Sequence, residues 1–269
     1  MFPPRNKQHF QAQSGLTVLE MVISIAILAI VAVALGALGS AVQVSSDYSF
    51  GHAAATQQAK VALHRIKHHI TTATTSEDFP GFVVIAEEVD GWLFPDTLVI
   101  WNPSGAPAAP GGPPRFDELV IYCPNPVTPT ELLEITVPGD TRFTPPLSNL
   151  SSWRSELQTI KSSVNSNRVV LIETLRTADV NTSDPPRGVV RFAQRVLPSQ
   201  SQWLEFKSGT RTWDNINWVQ DIRGSQTGLR QSWCQIEMHL LANQPDSAAG
   251  TDTVVPFFGS AALYYQLTK

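Results

Sequence analysis

The sequence predicts an α+β protein in which one long N-terminal helix precedes a mostly antiparallel β-rich head that packs on it. Three observations lead there. Residues 21–46 are 26 consecutive positions without Asp, Glu, Lys, Arg or His. Directly behind them Ala59, Leu63, Ile66 and Ile70 recur at helical spacing and form one apolar face. From Phe82 onward, short runs of β-branched and aromatic residues alternate with Pro-, Gly- and Asn-rich breaks.

As a helix rising ~1.5 Å per residue, the uncharged run is roughly 39 Å long, more than the ~30 Å hydrocarbon core of a bilayer. Tyr48 and Phe50 suit the membrane–water interface where it ends. The amphipathic continuation runs into the Thr/Ser cluster at 71–76, which stops it. Strands are predicted at 82–88 and 92–94 around Asp90-Gly91, a strong hairpin signal. Further strands are predicted at 98–101, 118–123, 132–137, 169–175, 189–196, 203–207, 232–241 and 254–267. Trp153, Leu157, Ile160 and Val164 fit a short second helix on the sheet. The loop at 102–115, rich in Pro, Gly and Ala, is long enough to be functional or disordered. The organisation read from the chain is therefore a leader (1–15), a helix (16–75, its membrane part about 21–46) and a β-rich head (76–269).

With 269 residues, 42% of them apolar, the chain can bury a sizeable core. The net charge of −4 is asymmetric: Arg5 and Lys7 stand in the leader without an acid, leaving 17 basic and 23 acidic residues behind it. A mildly acidic body offers no basic stripe for phosphates, and no nucleic-acid partner is expected. The basic leader places itself in the cytoplasm and the head outside it. The two cysteines, Cys123 and Cys234, lack CxxC or Cys/His ligand spacing. In an exported head they are either a disulfide or two buried thiols, and the spacing does not choose between these.

A secretory signal would carry an apolar run of ~7–15 residues and a small-residue cleavage site. Residues 37–41 imitate such a site, but the run is too long. A plain signal anchor explains the length and not what precedes it, Ser14-Gly15-Leu16-Thr17-Val18-Leu19-Glu20. Gly15 has no side chain, so a peptidase can bring its catalytic groups close to the scissile backbone. Cutting there frees an amine on Leu16, and Glu20 lies one helical turn further into an apolar setting, where its charge is costly unless paired.

This stretch closely resembles the cleavage and methylation motif of type IV prepilins and type II secretion pseudopilins, over roughly residues 14–45. The resemblance implies processing by a prepilin peptidase after Gly15, N-methylation of Leu16, and pairing of Glu20 with the Leu16 amine of a neighbouring subunit. It also implies single-pass insertion in a bacterial inner membrane with the head periplasmic or extracellular. Implied partners are other pilin or pseudopilin subunits, the inner-membrane assembly platform and membrane lipid. The first mature residue is leucine where phenylalanine is commoner in the family, and Ala37 replaces the kink-forming proline of many pilins. Gly36, Gly39 and Ser40 offer small-residue contacts for close helix packing. A head of this size and β content is similar to J-type minor pseudopilins or W-type minor pilins, and Glu20 argues against the K-type tip subunit.

No nucleophile elbow, phosphate-binding glycine loop or HExxH motif is present, and the chain reads as a non-enzyme. His64 and His68, with Arg65 and Lys67 beside them, read as a solvated helix face. Glu87, Glu88 and Asp90 read as ordinary exposed acids at a hairpin tip. Asp179, Asn181, Ser183 and Asp184 space side-chain oxygens at near-alternate positions, a weak calcium candidate. The glycine and closing glutamate of an EF-hand are missing, and Pro185-Pro186 favour a turn. No other cofactor is expected. The alternative to a structural subunit is an anchored adhesin or ligand receptor, for which Trp203, Trp213, Trp218 and Trp233 would supply a binding face if exposed.

Overall fold

The computed structural model describes residues 17–181, 185–219, 226–242 and 253–268. It has the predicted α+β class: a long apolar N-terminal helix, then a mostly antiparallel β domain of pilin-like architecture. The chain forms two compact units, Met1–Ser49 and Phe50–Lys269. Helix α1, Val18–Thr71, supplies the described part of the first unit and the opening element of the second. In the first unit its residues are almost all exposed, and it is long and apolar enough to cross a membrane.

In the second unit, α1 buries Ala55, Ala59, Ala62, Ile66 and Ile70 along one face. Leu63 of the predicted face is only half-buried. Three alanines let the helix backbone approach the sheets closely, and Gly259 serves the same approach from the other side: a Cβ there would stand 2.7 Å from a methyl of Leu63.

Five antiparallel strands form the first sheet in chain order: β1 (Phe82–Val89), β2 (Trp92–Trp101), β3 (Leu119–Pro124), β4 (Leu132–Thr136) and β5 (Asn167–Ile172). Asp90 and Gly91 close the first hairpin with φ of 51° and 79°, as a two-residue turn with both positions left-handed requires. The two predicted pieces 92–94 and 98–101 are one strand. Pro95 withholds an N–H, and the β1–β2 register slips between Ile85 and Glu87 instead of breaking. β3 alternates Val120 and Tyr122 toward one core with Leu119, Ile121 and Cys123 toward the other, so its continuous apolar run reflects a sheet covered on both sides.

A second sheet is β8 (Val190–Leu197), β9 (Leu229–Leu241) and β10 (Val254–Gln266) in the order β10-β9-β8, all antiparallel. A two-stranded ribbon, β6 (Thr177–Ala178) with β7 (Arg187–Gly188), lies between them in sequence. The main core joins α1, one face of the five-stranded sheet and β8–β10. The opposite face of that sheet is covered by α2, Leu150–Ser162, through Trp153, Leu157 and Ile160. Val164, predicted to continue this face, lies past the helix end and is exposed. Strand β5 starts and stops earlier than predicted, and Leu175 instead forms a single bridge to Leu240.

Residues 203–207 correct the strand prediction: they lie in helix α3, Gln200–Lys207. Ser199 caps it by accepting from the Gln202 N–H while the Gln202 side chain accepts from the Ser199 N–H. Its Trp203 and Phe206 face a third small core with Trp213, Ile216 and Trp218.

Candidate functional site

The first described residue, Thr17, precedes the first helical residue, Val18. Its backbone N–H donates to Glu20 Oε2 at 2.8 Å and its hydroxyl to the same oxygen at 3.0 Å. The Glu20 N–H donates back to Thr17 Oγ1 at 3.3 Å. This reciprocal pattern is a capping box, satisfying two N–H groups that a helix start otherwise leaves open. Reading the sequence for the prepilin spacing missed it, although Thr17-x-x-Glu20 is its signature. Gly15 and Leu16 lie outside the described residues. Further along, a Cβ added at Gly36 or Gly39 would meet nothing within 4 Å. The Ser40 hydroxyl donates to the carbonyl of Ala37 in its own helix at 2.9 Å.

In the head, Cys123 and Cys234 are free and buried in different cores, so the disulfide alternative is not formed. Burial pushes the thiol pKa up to about 11 for Cys123 and about 12 for Cys234, which keeps both as inert thiols at neutral pH. Of the calcium candidates, Asp179 is exposed, the Asn181 amide donates to Asp90 Oδ2, and Ser183 and Asp184 lie outside the described residues. Among the described residues no group of three or more His, Cys, Asp or Glu side chains is placed to hold a metal ion. Trp203, Trp213 and Trp218 are buried and Trp233 is half-buried, so these tryptophans belong to the packing and not to a binding face.

Two charged clusters fasten distant elements. On α1, Arg65 donates twice to Glu134 of β4, from Nε at 2.5 Å and Nη2 at 2.7 Å. The Tyr122 hydroxyl donates to Glu134 Oε2 at 2.9 Å and lies 2.7 Å from His69 Nδ1. His64 and His68 are exposed, as the solvated-face reading expects, but Arg65 and His69 of the same stretch are part of the interface. The hairpin acids are also corrected. Glu87 binds Lys161 of α2 and Arg187 of β7, the latter at 2.6 Å, and Arg187 also reaches Asp96 at 2.6 Å. Lys161 donates to Thr97 Oγ1 at 2.8 Å. Burial opposes the charge on Lys161, but the surrounding Cys123, Asp96 and Glu87 outweigh it and raise its pKa. Burial pushes Asp96 up, only partly offset by Lys161 and Arg187. Glu88 pairs with Arg154 at 2.7 Å.

The 102–115 loop is anchored by a carboxylate that its composition does not advertise. Glu118, 8% exposed, accepts from the Trp101 indole at 3.1 Å, from the Ala108 N–H at 2.6 Å and from the Arg115 N–H at 3.0 Å.

Comparison of the chain with protein-family models, with curated proteins and with solved structures finds no match.

Proposed function

We propose that the chain is a structural minor subunit of a pilin-like filament, most similar to a minor pseudopilin of type II secretion or a minor type IV pilin. It is cut after Gly15 and held in a bacterial inner membrane by the first half of α1. Its partners are other subunits of this kind, the peptidase and the assembly platform. The observation that carries the reading is Gly15-Leu16-Thr17-x-x-Glu20 directly ahead of an apolar helix of membrane-spanning length. A capping box that starts the helix at Val18 supports it, because it sets Glu20 in the first turn, at the N-terminal end of the apolar helix.

Processing is the direct test. N-terminal mass mapping of membrane-extracted protein should give a mature chain that begins at Leu16 and carries an N-methyl group. Gly15→Val should accumulate as the longer precursor, since a branched side chain at the scissile position keeps the peptidase from the backbone. A mature terminus at or beyond Ala41 would mean that a secretory peptidase acts instead, and the filament reading would fall.

A further inference from the structure

Strands β8, β9 and β10 turn one face to the main core, where Phe192, Ile236 and Leu263 are buried, and the other to solvent. The register fixes which side chains share that outer face. Arg191 of β8, Glu237 of β9 and Phe258 of β10 stand in one cross-strand row. Ala193, Gln235 and Ser260 make the next row, and Arg195, Trp233 and Ala262 the one after. Tyr264 follows on β10 opposite Gln231, whose side-chain amide donates to its hydroxyl at 2.7 Å. Leu197 and Leu229 at this end pack toward the third small core. From there to Phe258 the face is open: Arg191, Ala193, Arg195, Gln235 and Ser260 are all exposed.

Two aromatic rings stand on this face in water, Phe258 at 61% and Tyr264 at 45% exposure. Six positions apart on one strand, they are separated by about 20 Å. The residues between them on the same side of β10, Ser260 and Ala262, are small, so nothing on that strand rises as high as the rings. Trp233 stays half-buried in the packing and is part of the floor. Arg191 and Arg195 line the β8 side, about 14 Å apart. Arg195 has no ion pair among the described residues, and Arg191 has a long contact of 3.8 Å to Glu237, which also meets His239 at 3.1 Å. Two exposed guanidiniums on one face contrast with a body of 17 basic and 23 acidic residues.

The chemistry of the face narrows its ligand. Protein–protein contacts gather their aromatic anchors at the centre of a desolvated patch. Here the central row is Ala193, Gln235 and Ser260, and the rings lie toward the ends. Single-stranded nucleic acid needs a positively charged groove along its backbone, whereas Arg191 and Arg195 share this face with Glu237. A chain of sugars fits better. The C–H face of a pyranose stacks on an aromatic ring, and its hydroxyls suit side-chain amides.

We propose that the outer face of β8–β10 binds an acidic, uronate-bearing polysaccharide. Phe258 and Tyr264 stack on sugar rings, Gln235 bonds hydroxyls between them, and Arg191 and Arg195 pair with carboxylates. The separation of the rings requires a chain that lies across the sheet, because a single sugar reaches only one of them. The face is present whether or not the subunit enters a filament.

Isothermal titration calorimetry on the full chain, in a detergent without a sugar headgroup, tests this. The probes are hexamers of galacturonate and of mannuronate, each also as its methyl ester and as its monomer, and a thymidylate hexamer. At least one uronate hexamer should bind, its methyl ester several-fold more weakly, as expected for the loss of exposed ion pairs. The monomer should bind at least about tenfold more weakly than the hexamer, and thymidylate more weakly than either uronate. Phe258→Ala and Tyr264→Ala should each weaken the hexamer about tenfold. Phe143→Ala, which removes a comparably exposed ring outside this face, should not. Arg191→Gln combined with Arg195→Gln should bring acid and ester to the same affinity. All four side chains are exposed, so the melting midpoints should stay near that of the parent. Failure of both hexamers to bind, equal affinity for acid and ester, a monomer as tight as its hexamer, tighter binding of thymidylate, or undiminished binding by Phe258→Ala and Tyr264→Ala would each overturn the proposal.

Discussion

At position 134 one buried carboxylate accepts from two side chains, the Arg65 guanidinium and the Tyr122 hydroxyl, and that hydroxyl also meets His69. These contacts span 69, 12 and 53 positions along the chain, which is why no local pattern betrays them. In the sequence, Arg65 and His69 look like the polar side of an amphipathic helix. The pairing has a pH consequence. Burial, with Arg65 and His68 adding to it and Glu134 opposing, holds His69 below the ordinary histidine value. The folded state thus declines a proton that the unfolded chain accepts. Its contribution is complete above the unfolded pKa, about 6.5, and is lost as pH falls below it. Glu87, whose pKa is lowered by Lys161 and Arg187 against the opposing effect of burial, loses its contribution only below the usual carboxylate range. Asp96, raised by burial, acts in the opposite sense. The melting midpoint should therefore fall between about pH 7 and about pH 5.5, and His69→Gln should reduce that slope by removing the titrating ring. An identical slope in parent and variant would mean that His69 does not couple to folding.

For whole elements, periodicity succeeds where burial is one-sided and local. The spacing of Ala59, Ile66 and Ile70 was legible because a helix laid on a sheet must present one stripe, and those three residues are fully buried. Ile66→Asp should destabilise the head by several kcal/mol, since an unpaired carboxylate would replace a methyl-rich side chain between α1 and both sheets. Thermal unfolding of the variant checks this, and an unchanged midpoint would show that the face is not packed. Periodicity misled at 203–207, where Trp and Phe favour strands in isolation, yet the Ser199–Gln202 capping box starts a helix and the i, i+3 pair Trp203 and Phe206 packs on its own core. The 102–115 loop also escaped the pattern. Its order depends on Glu118, a residue beyond its end, and an acid at a strand edge reads as solvent-facing until its three donors are seen.

Across the whole molecule, the α+β class follows from the uncharged run and the strand-rich remainder, whereas the division into two sheets rests on long-range pairings such as Phe192 with Ile236 that no single segment specifies. The spacing of the proposed processing motif at the helix start was readable in the sequence, but the capping role of its glutamate was not. Glu20 closes a capping box with Thr17, so it does two things that a single substitution to alanine would confuse: it starts the helix, and in the proposed filament it supplies the charge for a neighbour's Leu16 amine. Glutamine separates them, because its side-chain carbonyl still accepts from the Thr17 N–H while the charge is gone. Glu20→Gln should be cut after Gly15 and inserted in the membrane as the parent is, with its helix start intact. It should nevertheless crosslink poorly to partner subunits, because a charge pair in an apolar surround is worth far more than in water. Glu20→Ala should show the same assembly defect with a frayed first turn in addition, visible as faster amide exchange at Thr17 and Glu20. If Glu20→Gln assembles as well as the parent and only Glu20→Ala fails, the glutamate acts through helix capping, and the position of this subunit in a filament is set by something other than charge pairing at its N-terminus.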